Sequence, residues 1–156
     1  MTIAITLHIL SAVVWVGGMF FAWMALRPVA ASLLEPPVRL TLWGGVFGKF
    51  FPWVWLCIVS LLGSGYWMAL TLFGGFANFP LFVNLMQGIG ILMMLIYGHV
   101  FFALYLPMKR LIVAQDWPAA GGKLGKIRFL VGLNLVLGLV VVTIGVAGDS
   151  LFHLHG

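Results

Sequence analysis

The chain reads as long apolar runs separated by short clusters of charge. No charged side chain occurs in residues 1–26, between Lys49 and Lys109, or between Arg128 and Asp149. A helix that crosses the hydrocarbon core of a bilayer needs about 20 predominantly apolar residues, so the first and last runs each hold one span. The middle run holds two, divided by Phe73-Gly74-Gly75-Phe76-Ala77-Asn78-Phe79-Pro80, because Gly, Asn and Pro disfavour continuation of a helix there. The pattern predicts spans over about 3–26, 50–72, 81–106 and 128–148 in a single all-α, four-transmembrane-helix bundle that takes in residues 1–156. Val38 to Lys49 reads as a short interfacial helix feeding the second span. Pro28, Pro36, Pro37, Pro107 and Pro118 are expected to end helices at the charged connections.

Composition narrows the class. Of the 156 residues 63% are hydrophobic and 7% charged, and the mean hydropathy is +1.19. So little charge cannot cover a soluble domain. A net charge of +5 would suggest nucleic acid in a soluble protein, but that reading needs basic residues on a polar surface, which this composition lacks. The lipid bilayer is the expected partner instead.

The positions of the charges then give an orientation. Arg27, Arg39 and Lys49 fall between the first two predicted spans, and Lys109, Arg110, Lys123, Lys126 and Arg128 between the last two. The remaining connection and both ends carry no Lys or Arg, so the positive-inside rule places the basic connections in the cytoplasm and both termini outside, in the cell inner membrane. The first span is not read as a secretory signal, since it lacks a basic leading region and runs into Arg27-Pro28 without a small-residue cleavage site.

In so apolar a chain, an ionisable side chain inside a span is a candidate for function, because burying it is costly unless something pairs or coordinates it. His8 in the first span and His99 in the third qualify, and neutral imidazole is a common ligand of iron, copper and zinc. Ser11, Ala12, Trp15, Gly18, Met19 and Ala22 share the His8 stripe, with small residues that permit a close approach. Counted from the outer ends at 1.5 Å per residue, His8 lies roughly 8 Å deep and His99 roughly 27 Å, so they are expected to serve separate sites, or only one of them is a ligand. At the level of His8 the third span offers Met86 and Gln87, and the C-terminal tail offers Asp149, His153 and His155. Asn134 is the expected partner of His99. Lone Cys57 reads as a buried apolar residue.

Leu7-His8-Ile9, Trp15-Val16-Gly17-Gly18-Met19-Phe20 and Arg27-Pro28 together resemble the first helix of the copper-resistance protein D (CopD-like) membrane domain and of its distant relative, the HemJ-type protoporphyrinogen oxidase. Phe47-Gly48-Lys49, a Gly63-Ser64-Gly65 break in the second helix, Tyr97-Gly98-His99 and Lys126-Ile127-Arg128 are similar in outline. The resemblance implies a four-helix bundle with metal or b-type haem at its outer end, and His8 matches the family's helix-1 histidine. Where the HemJ-type proteins carry a lysine near the start of the third helix, this chain has Asn84, Met86, Gln87 and Gly88.

Three functional expectations follow. The first is a small redox module holding haem b, with His8 as axial ligand, Met86 or a tail histidine as the second, His99 as a further candidate, Trp15 excluding water, and a quinone or other redox partner exchanging electrons. The second is copper handling through His8, His153, His155 and Met86 or Met1, the ion passing inward by Met19, Met93, Met94 and His99. The third is a structural subunit whose histidines only pair helices. Gly-rich faces also make a homo-oligomer an expectation.

Overall fold

The computed structural model describes residues 1–152, with side chains described through Gly148. Four helices long and apolar enough to cross a membrane account for nearly all of it: α1 (Thr2–Leu33), α2 (Pro36–Phe73), α3 (Leu81–Val113) and α4 (Trp117–Phe152). Large apolar side chains such as Ile3, Val13, Val59, Leu95 and Val146 face outward, as a bilayer requires of a helix surface.

The helices are longer than the apolar runs predict. The basic residues do not lie in loops; they ride on helical extensions that continue past the apolar spans. Consequently α2 begins at Pro36 and α4 at Trp117, and no separate interfacial helix precedes α2. Pro36, Pro37 and Pro118 do sit in first turns, where a missing N–H costs nothing. The Asp116 carboxylate accepts the Ala119 N–H at 3.1 Å to close the start of α4. The connections are therefore tight, Leu34-Glu35 in one case and Ala114-Gln115-Asp116 in the other.

Pro28 and Pro107 do not end helices, contrary to expectation. Each follows a π-helical stretch, Ala22–Leu26 and Val100–Tyr105, inside a continuous helix. Proline lacks an N–H and clashes with the carbonyl four residues back, and a wider turn relieves that clash. The carbonyl so freed by Pro107 is that of Ala103, and Lys123 Nζ donates to it at 3.3 Å from α4. The expected turn after α2 is present: Gly74 takes φ +72° to cap the helix, and Asn78 and Asn84 donate side-chain N–H groups to the Phe73 and Phe79 carbonyls, each at 3.0 Å.

Neighbouring helices run antiparallel in a fixed register. On α1 and α2, His8 faces Ser64 and the Gly18 backbone faces the Phe50 ring. On α1 and α4, Val16 lies against Gly138 and Trp23 against Gly132; on α3 and α4, Met93 meets Gly138 and Met86 meets Gly145. Gly132, Gly138 and Gly145 thus serve as contact points along α4. The middle of the bundle is a continuous aromatic core. Trp43, Phe47 and Phe51 follow one another along α2 at 5.1 and 5.0 Å between ring centroids, and Tyr97 joins Phe51 to Trp15 at 5.4 and 6.1 Å.

Candidate functional site

His8 is held on the seam between α1 and α2. Its Nδ1 lies 3.0 Å from Ser64 Oγ, and the Ser64 hydroxyl donates to the Ser60 carbonyl at 2.5 Å. With its one proton spent on Ser60, Ser64 can only accept from the ring, so Nδ1 carries the imidazole hydrogen. The lone pair then resides on Nε2, the nitrogen that Ser64 does not hold, and this is the arrangement a metal-binding histidine needs.

Gly65 makes the seat possible. A Cβ placed there would lie 3.0 Å from His8 Cε1 and 3.4 Å from Nδ1, so any side chain would push the ring away from Ser64. The helix is unbroken at Gly63-Ser64-Gly65, a correction to the expected break. In an apolar medium the backbone keeps its helical bonds, and the glycine provides space without loosening the chain. Beside this seat opens a groove of about 730 Å³ bordered by Met1, Ser60, Ser64 and Trp67 among others.

The other candidates separate. Met86 lies at nearly the same level as His8, but on α3, with its sulfur 3.2 Å from where a Gly145 Cβ would be. Trp15 is buried about two turns below His8, edge-on to Tyr97. With Met19, Tyr97 and Asn134 it walls an interior cavity of about 150 Å³. His99 is exposed and borders a shallow hollow with Gly125, Lys126 and Phe129. The register puts it roughly 21 Å along the bundle from His8 at 1.5 Å per residue. Asn134 is not its partner: the buried amide donates to the Met93 carbonyl at 3.0 Å, whereas His99, about half a turn away in level, lies on an exposed face of α3. Cys57 is buried and unpaired, as expected.

His153 and His155 lie outside the described residues, and so does the Asp149 side chain. Among the described residues no group of three His, Cys, Asp or Glu could hold a metal ion. Any ion bound at His8 must therefore draw its further donors from thioethers or from the tail. The partners that sequence reading missed are Ser64 and Gly65. Their signal was the pairing of a lone intramembrane histidine with a Gly-Ser-Gly stretch at a matching depth on the next helix.

Four apolar helices with outward apolar faces define a multi-pass membrane protein. Residues 44–147 match the family described as copper resistance protein D, and the chain belongs to that family. The match takes in Ser64, Gly65, Met86 and Asn134, while His8 precedes it. Comparison with curated proteins and with solved structures gives no match. The family associates this membrane protein with copper resistance and lends nothing to the haem b expectation, whereas the copper alternative fits it.

Proposed function

We propose that the protein handles copper as cargo, capturing the ion at the end of the bundle that holds His8. Nε2 of His8 is the first donor, Met1 on the adjoining groove is a second, and His153 and His155 complete the set from the tail that follows α4. Imidazole and thioether suit copper in both common oxidation states. The observation that supports this reading best is the Ser64 hydrogen bond, which leaves Nε2 as a ready donor in an apolar run, residues 1–26, with no other ionisable side chain.

The orientation proposed with it puts this end outside the inner membrane. Seven of the eight Lys and Arg lie toward the opposite end, on the helical extensions near the two tight corners, and Lys49 stands farther along α2. Labelling of Gln115→Cys in a Cys57→Ser background tests this, since only a reagent that reaches the cytoplasm should modify it.

The decisive experiment measures copper bound by the detergent-purified protein in competition with a chelator. Wild type should bind copper, and His8→Ala should lose an equivalent or weaken binding at least about tenfold, the scale of a removed ligand or its orienting partner. Equal binding by His8→Ala and wild type refutes the proposal. An absorption spectrum of the same sample should show no Soret band.

A further inference from the structure

The opposite end of the bundle holds three arginines that form no ion pair among the described residues. Arg27 on α1 stacks over Trp23 with its guanidinium carbon 4.3 Å from the ring centroid. The Trp23 indole lies against Gly132 of α4, one turn from Arg128. Arg39 of α2 reaches back across the corner to donate to the Ala31 carbonyl of α1 at 3.5 Å. Three different helices thus deliver guanidinium groups to one corner, and the charges of Arg27 and Arg39 both repel that of Arg128. Of the chain's three acids, Glu35 is exposed at this corner, Asp116 caps α4, and Asp149 belongs to the far end.

Two of these groups are also left incomplete. Arg39 Nε and Arg128 Nε are buried and have no hydrogen-bond partner among the described residues. Buried donors are almost always paired, and an unpaired one on a cation is costlier than a neutral one. Like charges brought together with donors unspent describe a site for an anion whose oxygens accept several N–H groups at once, and the planar guanidinium fork matches phosphate in that way.

We propose that Arg27, Arg39 and Arg128 form a binding site for a phosphate group, the headgroup phosphate of an anionic phospholipid being its occupant. Basic pockets between membrane helices on the cytoplasmic side are suited to such headgroups. The same corner carries an apolar surface groove along Leu34, Val38, Leu42 and Val46, which offers an acyl chain a course that a free phosphate ion would not use. The headgroup neutralises the mutual repulsion and fastens α1, α2 and α4 to one another.

Native mass spectrometry of the full chain in detergent tests this with phosphatidylglycerol, phosphatidylcholine and inorganic phosphate as probes. Wild type should bind phosphatidylglycerol about tenfold more tightly than Arg39→Gln or Arg128→Gln does, the ratio expected for one lost charge-assisted hydrogen bond. Lys126→Gln removes a basic residue of α4 near the same level and should leave binding within about twofold, as exposed charges contribute little. Displacement of the lipid by millimolar inorganic phosphate assigns the site to phosphate from either source, whereas retention assigns it to the lipid. If Arg128→Gln does not fold, Arg128→Lys keeps the charge without the fork and should still bind the lipid more weakly than wild type. The proposal is overturned if the arginine variants bind phosphatidylglycerol as wild type does, or if Lys126→Gln loses as much as they do.

Discussion

Gly65→Ala isolates the seat of His8 with a single methyl group. The new Cβ would stand 3.0 Å from His8 Cε1, and relief requires the neighbour to give by a few tenths of an ångström. The ring can move only away from α2, which carries Nδ1 from its 3.0 Å contact with Ser64 Oγ toward the limit of a useful hydrogen bond. Most of that bond's net worth, about 1 kcal/mol, is then lost. The expected destabilisation is about 1 kcal/mol, because in the membrane both alanine and glycine stay helical in the unfolded reference and propensity adds little. Copper affinity should fall further, by about tenfold, since the orienting partner of a ligand is being removed. Gly63→Ala on the same helix is the control, as a Cβ there meets nothing within 4 Å. Stability by denaturant titration in detergent and copper affinity by chelator competition give the two readings. If Gly65→Ala and Gly63→Ala behave alike in both, the close packing of His8 on α2 is refuted.

Other predictions bear on the fold around the site. Lys123→Leu should cost about 1 kcal/mol by exposing the Ala103 carbonyl, and Pro107→Ala should abolish that cost by restoring the helical acceptor's partner; a double-mutant cycle reads the coupling. Gly138→Leu should destabilise by about 2 kcal/mol or more through overpacking on Val16 and Met93, whereas Asn134→Leu should change stability by less than about 1 kcal/mol, since an intramembrane hydrogen bond averages about 0.6 kcal/mol and the Asn134 Oδ1 is already without a partner among the described residues. His99→Ala should leave copper stoichiometry and affinity unchanged in the chelator assay, given its distance from His8.

What the sequence revealed divides along physical lines. The number of spans and the turn at Phe73 to Pro80 were legible because the bilayer imposes a length and charge is scarce. Helix ends were not, since a basic residue marks where the hydrocarbon stops and says nothing about where the backbone stops winding. Pro28 and Pro107 misled for a related reason: proline forbids one hydrogen bond, and a π turn ahead of each, joined at Pro107 by Lys123, accommodates that loss. His8 stood out as an ionisable residue within an apolar run. Ser64 and Gly65 did not, because a partner on another helix is found only through the register between helices, which no single stripe encodes. The pairing of His99 with Asn134 failed on the face and not on the level, since His99 is exposed while Asn134 is buried.

The tight Leu34-Glu35 corner makes the α1–α2 pair a lever. His8 is 26 residues from that corner, a lever arm of roughly 39 Å at 1.5 Å per residue. One degree of opening at the corner therefore displaces His8 by about 0.7 Å at its far end, more than the hydrogen bond to Ser64 tolerates. A small change of angle at the basic end would therefore be felt most at the His8–Ser64 contact.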